Sequence, residues 1–202
     1  KEVKKEILAA TYLIDKHLGK YGLREKDMEY MIGKNGKPSF ENHPEINFSI
    51  SHSKDLVLVA FSDIEIGCDI QIVKNIDSNI FDKVLSGDEK NNVCTTINDG
   101  LTDNNNELQL EKFFYYWVQK ETILKRDGSG LKDDISKIYD TYGVVKKLMY
   151  NKQKNSIDKM LDVHNIEDLS RIKLQDFEKY DIYLMCINNG KSNEFIELHE
   201  SY

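Results

Sequence analysis

Residues 46–73 read INFSISHSKDLVLVAFSDIEIGCDIQIV. Ile46, Phe48 and Ile50 alternate with polar neighbours, as in a strand with one buried face. Residues 55–61 are apolar at every position after the first, the pattern of a strand covered on both faces. Residues 66–72 give a third strand candidate, with Asp69 set among Ile66, Cys68, Ile70 and Ile72. Three short strands linked by short turns predict an antiparallel meander.

Upstream, Val3, Ile7, Leu8, Tyr12, Ile14 and Leu18 fit a helical stripe, punctuated by Gly19 and Gly22. A breaker-rich turn, Gly33-Lys34-Asn35-Gly36-Lys37-Pro38, precedes the strands. Downstream, residues 86–107 are loaded with Asn, Asp, Thr and Gly, which predicts a helix end and then a mobile loop. Residues 108–126 read as a strong helix carrying Phe113, Trp117, Ile123 and Leu124, stopped by Gly128-Ser129-Gly130. Residues 182–187 are another clear strand, whereas 132–180 mix strand-like and helical pieces. Both halves hold a helix followed by strands, so the expected architecture is α+β with two lobes, residues 1–73 and 74–202.

The 202 residues carry 35 acidic against 28 basic side chains, a net charge of −7. That balance excludes a broad nucleic-acid footprint, although a local basic patch could hold a phosphorylated ligand. Cys68, Cys94 and Cys186 are far apart and form no metal or disulfide spacing. Residues 1–6 are charged at every position but Val3, and no stretch has the apolar length of a membrane span, so a cytoplasmic setting with no membrane partner is expected.

Three clusters carry candidate chemistry. Asp69 lies in an apolar strand, where an ionised carboxylate is costly unless paired or bound to a metal, and Gln71 shares its strand face. Both offer oxygens suited to Mg²⁺. The plainer alternative is a strand-end Asp paired with a lysine. Second, Trp117, Glu121 and Lys125 stack on one helix face at four-residue spacing. Glu121 could be a metal ligand or a base and Lys125 could neutralise phosphate, or the two could be an ordinary surface pair. Third, Ser51-His52-Ser53 sits at a turn, preceded by Gly36-Lys37-Pro38. These groups could cradle phosphate oxygens, and a solvated loop histidine is the alternative.

In their order these pieces resemble the Sfp-type phosphopantetheinyl transferases. The matching segments are Gly36-Lys37-Pro38, Asn47-Phe48-Ser49-Ile50-Ser51-His52, Gly67-Cys68-Asp69-Ile70-Gln71, Trp117 to Lys125, and Gly128-Ser129-Gly130-Leu131. Leu85-Ser86-Gly87-Asp88-Glu89 is similar to a further family segment with Leu in place of Phe. The resemblance implies two pseudo-twofold-related lobes, each a small antiparallel sheet packed with helices, with coenzyme A between them. It implies Mg²⁺-dependent transfer of 4′-phosphopantetheine to a serine of an acyl or peptidyl carrier protein, releasing 3′,5′-adenosine bisphosphate. Asp69 and Glu121 match the family's metal acids. Lys37, Ser51 and His52 match coenzyme A positions, Lys120 and Lys125 match lysines of the phosphate-facing helix, and Lys5 aligns loosely with a nucleotide-binding basic residue. Glu121 is the leading base, with Lys125 assisting at the phosphate.

Two departures stand out. The family's Asp-x-Glu is here Asp69-Ile70-Gln71, which removes one charge from the metal site. The chain also begins close to the first family helix, leaving open a trimmed start to the first lobe. A non-catalytic module that binds coenzyme A or a carrier is the alternative to the enzyme. The length favours the monomeric form of the family, and the Asn-rich stretch at 91–106 falls where relatives meet their carrier.

Overall fold

The computed structural model describes residues 2–94, 105–130, 134–138, 143–171, 179–190 and 196–200. The chain order is α1 (Glu2–Gly19), β1 (Tyr30–Ile32), β2 (Pro38–Phe40), β3 (Asn47–Ser53), β4 (Leu56–Ser62) and β5 (Gly67–Ile72). There follow α2 (Phe81–Val84), α3 (Gly87–Cys94), α4 (Asn105–Arg126), β6 (Val144–Asn151), β7 (Ser156–Val163), α5 (Asp168–Arg171), β8 (Tyr180–Asn188) and β9 (Ile196–Glu200). The class is α+β. Helix α1 packs on a sheet of order β3-β4-β9, a second sheet of order β5-β8-β6-β7 lies behind it, and α4 crosses the far face.

The apolar run of β4 is explained by this layering. Val57, Val59 and Phe61 face α1, where they meet Ala10, Leu13, Ile14 and Leu18. Leu56, Leu58 and Ala60 face the second sheet, against Ile66, Cys68, Tyr183 and Met185. Strand β8 is shared in the same way: Tyr183 and Met185 point to β4, while Leu184 and Cys186 point to Phe113, Phe114 and Val118 of α4. Each such fully buried aliphatic or aromatic side chain contributes about 1.5–3 kcal/mol. Burial pushes the Cys68 thiol up to about 11 and that of Cys186 up to about 12, so both are protonated core residues.

The predicted meander is corrected after its second strand. Strands β3 and β4 pair antiparallel from Asn47↔Ser62 to Ser53↔Leu56, but β5 pairs with β8. The edge of β5 nearest β3 meets hydroxyls instead of backbone carbonyls. Ser49 Oγ accepts from Cys68 N–H at 3.1 Å, Ser51 Oγ from Ile70 N–H at 3.2 Å and Ser53 Oγ from Ile72 N–H at 3.0 Å. Three serines at period two thus join the sheets and satisfy donors that would otherwise be buried without partners. Ser53→Ala should lower unfolding free energy by about 1 kcal/mol, since Ile72 N–H loses its acceptor. Urea denaturation at constant m-value measures this.

The expected division at residue 73 does not coincide with the sheets. Strand β5 belongs to the sheet otherwise made from the second half of the chain, and β9 adds to β4. Within the ambiguous stretch lie the β6–β7 hairpin and α5, with residues 132–133, 139–142 and 172–178 outside those described. In the Asn-rich stretch, α3 extends to Cys94 and α4 starts at Asn105, and the residues between them lie outside the described set.

Candidate active site

Gly67 fixes where α4 meets β5. A Cβ there would stand 1.9 Å from the Thr122 carbonyl oxygen and 2.6 Å from the Arg126 backbone nitrogen. With no side chain, the helix backbone seats directly on the strand. Asp69 and Gln71 follow on the same strand face, and Glu121 and Lys125 stand one turn apart on the helix. The close approach brings these two pairs together.

Asp69 is 1% exposed. Its Oδ1 accepts from Ser51 Oγ at 2.7 Å and from Lys125 Nζ at 2.7 Å, and Oδ2 from Gln71 Nε2 at 3.3 Å. Lys125 Nζ also donates to Ser51 Oγ at 2.9 Å. Burial alone would lower the Lys125 pKa, but Asp69 above all, with Glu121 adding to it, raises it above the ordinary lysine value. Burial, then the charge of Asp69, holds the Glu121 carboxyl above its usual range, with Lys125 opposing. Glu121 Oε1 is buried with no hydrogen-bond partner.

A cavity of about 250 Å³ opens beside these groups, lined by Lys37, Pro38, Ile50, Glu121, Lys125 and Gly128 among others. The turn between β1 and β2 closes it. Lys37 Nζ donates to the Arg126 carbonyl at 2.7 Å and pairs with Glu65, and Asn35 Nδ2 donates to the Gly128 carbonyl at 2.9 Å. The turn therefore satisfies carbonyls at and beyond the C-terminal end of α4, where a cation is also favoured by the helix dipole. A larger cavity of about 560 Å³, walled by Leu18, Tyr21, Ile46 and Phe61, lies elsewhere and lacks this carboxylate–lysine pairing.

Not every expected residue converges here. Lys120 is fully buried and donates to the Val84 carbonyl at 2.7 Å and to Glu89 at 2.6 Å. Five helical residues separate it from Lys125 by about 140° around the axis, so both cannot face one phosphate. Lys120 ties α4 to the elements before it, as Lys147 does from β6 through Glu111 at 2.7 Å. His52 is exposed and reaches Glu6 at 3.5 Å. Lys5 is exposed on α1, and neither it nor His52 lines the cavity. Leu131 of the glycine motif lies outside the described residues. Sequence reasoning missed the seating role of Gly67, the Glu89 partner of Lys120 and the linking role of Ser49 and Ser53. The S-x-S-x-S alternation at 49–53 was the available signal for the last.

The donors present suit a hard cation. Asp69 and Glu121 supply carboxylate oxygens, with Glu121 Oε1 buried and unpartnered. Gln71, whose amide nitrogen faces Asp69 Oδ2, carries an amide oxygen that would serve a cation once the amide turns over. Among the described residues no cluster of three or more His, Cys, Asp or Glu forms a metal site, so two acids with Gln71 are what this face offers.

The model of the 4′-phosphopantetheinyl transferase superfamily matches residues 65–180, which include Asp69, Gln71, Glu121 and Lys125. The 4′-phosphopantetheinyl transferase psf-1 of Bacillus pumilus is 32% identical over 116 residues, covering 57% of this chain and 46% of that protein. Sfp of Bacillus subtilis is 32% identical over 111 residues, 55% of this chain and 46% of the relative. AcpT of Salmonella typhimurium is 31% identical over 103 residues, half of each chain. The chain thus spans about half the length of the curated relatives it matches.

Proposed function

Because the chain belongs to the 4′-phosphopantetheinyl transferase superfamily, we propose that it transfers the 4′-phosphopantetheine of coenzyme A to a serine of an acyl or peptidyl carrier protein. The observation that carries the reading is that Glu121, Lys125 and Lys37 line one cavity, with the enclosed Asp69 held directly behind Lys125. Two acids for a cation and two ammonium groups for phosphates are what cleavage of a diphosphate ester requires.

A serine hydroxyl is a weak nucleophile and needs a base. Glu121 fills that role, its carboxyl already held above the usual range by burial and by Asp69. The serine oxygen bonds to the pantetheine-bearing phosphorus, and the bridging P–O bond to the adenosine side breaks. The serine proton passes to Glu121, directly or through a water, and 3′,5′-adenosine bisphosphate leaves with the bond electrons. Lys125, and Lys37 at the cavity wall, offset the charge gathered on the phosphates. Asp69, Glu121 and Gln71 are the residues that would hold Mg²⁺, which when bound supplies Lewis-acid neutralisation of the diphosphate. His52 and Lys5 are exposed and would meet the outer phosphate of a bound nucleotide, His52 turning from Glu6 to do so. The protein acts as a two-lobed monomer in the cytoplasm on this reading. No helix among the described residues is long and apolar enough to cross a membrane.

Intact-mass analysis of apo carrier protein mixed with the chain, coenzyme A and Mg²⁺ tests the proposal. The expected result is a gain of one phosphopantetheine on the carrier serine, abolished by EDTA. Coenzyme A binding with no gain on any of several carriers would instead mark a non-catalytic module of the same fold.

A further inference from the structure

The cation resting on Asp69 is the protein's own. Lys125 Nζ stands 2.7 Å from Asp69 Oδ1 and 2.9 Å from Ser51 Oγ, and Asp69 is almost wholly enclosed. Oδ1 accepts two hydrogen bonds, which fills the acceptor capacity of one carboxylate oxygen. Ser51 is equally complete: it donates to Asp69 and accepts from Ile70 N–H and from Lys125. One turn back on α4, Glu121 presents a buried oxygen without a partner. Of the two ammonium groups of the cavity, Lys37 is paired with Glu65, and Lys125, the one that touches these acids, is committed to Asp69.

We propose that Lys125 is an internal counter-ion that holds the place of a divalent cation at Asp69 and is released to the phosphate anion when the cation arrives. The proposal rests on the reading of Asp69 and Glu121 as the cation-holding acids. A divalent ion bound to the same enclosed carboxylate would lie within a few ångströms of the ammonium, and like charges at that range in a half-buried site repel strongly. The lysine stem is flexible, and Lys125 already lines the cavity that Glu121 and Lys37 share. Leaving Asp69 therefore keeps its charge in the cleft, facing an anion there. Cation and anion then assist each other through one side chain. An anion that draws Lys125 away uncovers Asp69, and a cation on Asp69 frees Lys125.

Mn²⁺ affinity, followed by electron paramagnetic resonance on the full chain without nucleotide, reads this directly. Lys125→Met should bind Mn²⁺ about tenfold more tightly than the unsubstituted protein. Lys37→Met removes an equal charge from the same cavity without touching Asp69, and it should stay within about twofold. Adding 3′,5′-adenosine bisphosphate should tighten Mn²⁺ binding in the unsubstituted protein more than in Lys125→Met. Lys125→Gln keeps a donor for Asp69 without the charge and should also bind more tightly, which serves if the Met variant does not fold. Equal Mn²⁺ affinity with and without the Lys125 charge, or equal tightening in the Lys37 variant, would overturn the counter-ion role alone. No Mn²⁺ binding by any of the proteins would remove the cation-holding reading of Asp69 and Glu121 as well.

Discussion

Glu121→Gln is expected to slow carrier modification by about 10²–10⁴-fold, the usual worth of a positioned base, without loss of the fold. The amide has the same shape but cannot take the serine proton, and it offers a cation no charge. Single-turnover transfer at saturating coenzyme A isolates the chemical step. Retention of transfer within about threefold would remove Glu121 from the reaction. Stability should move the other way. The Glu121 carboxyl is held above its usual range first by burial and then by Asp69, against the pull of Lys125. The folded state thus binds this proton more tightly than the unfolded chain does. Above the folded pKa the ionised group subtracts stability, and the penalty is relieved as pH falls through that pKa. In metal-free protein at neutral pH, Glu121→Gln should therefore melt no lower than the unsubstituted chain. The advantage should shrink once the pH drops below the folded pKa. A lower melting temperature for the variant at neutral pH would contradict this account of the buried carboxyl.

What could be read in the sequence was local or periodic. The apolar run of β4 announces a strand covered on both faces, and α1 and a layer led by β8 cover it. The end of α4 was legible from Gly128, which adopts φ 60°. Grouping Asp69 with Gln71 and Glu121 with Lys125 needed only the periods of strand and helix. Partner choice across the chain was not legible. Nothing local tells β5 to pair with β8 instead of β4, because the decision is made by serines on β3 that serve the other edge of β5. A serine-rich face reads as solvated until the second sheet is known to lie on it. Lys120 shows a different failure. The family resemblance matched it, with Lys125, to the lysines of a phosphate-facing helix, whereas the helical angle already separated it from Lys125 and its partner Glu89 lies 31 residues away.

Gly67→Ala should cost about 3 kcal/mol or more in unfolding free energy and disable the site with it. The added methyl would fall 1.9 Å from the Thr122 carbonyl oxygen and 2.6 Å from the Arg126 nitrogen. Both are backbone atoms of a continuous helix, so no side-chain rotation relieves the overlap. Either α4 lifts from β5 or the strand retreats. Lifting α4 also pulls Thr122 Oγ1 from the Cys186 carbonyl, 3.3 Å away on β8, and disturbs the packing of Phe113 and Val118. Asp69 is two residues along the same strand, so the displacement carries it from Lys125 and Glu121. Gly128→Ala is the matched comparison, since Gly128 also borders the cavity but the nearest atom to a new Cβ is Lys37 Cδ at 3.5 Å. Its cost is the local strain of a left-handed residue, about 1 kcal/mol. Denaturation midpoints and Mn²⁺ binding of the two variants separate the cases. The position 67 variant should lose both stability and cation binding, and the position 128 variant should lose a little stability alone. Equal, small effects at both positions would mean that α4 is not seated on β5 at Gly67, and the geometry that joins Asp69 to Glu121 and Lys125 would go with it.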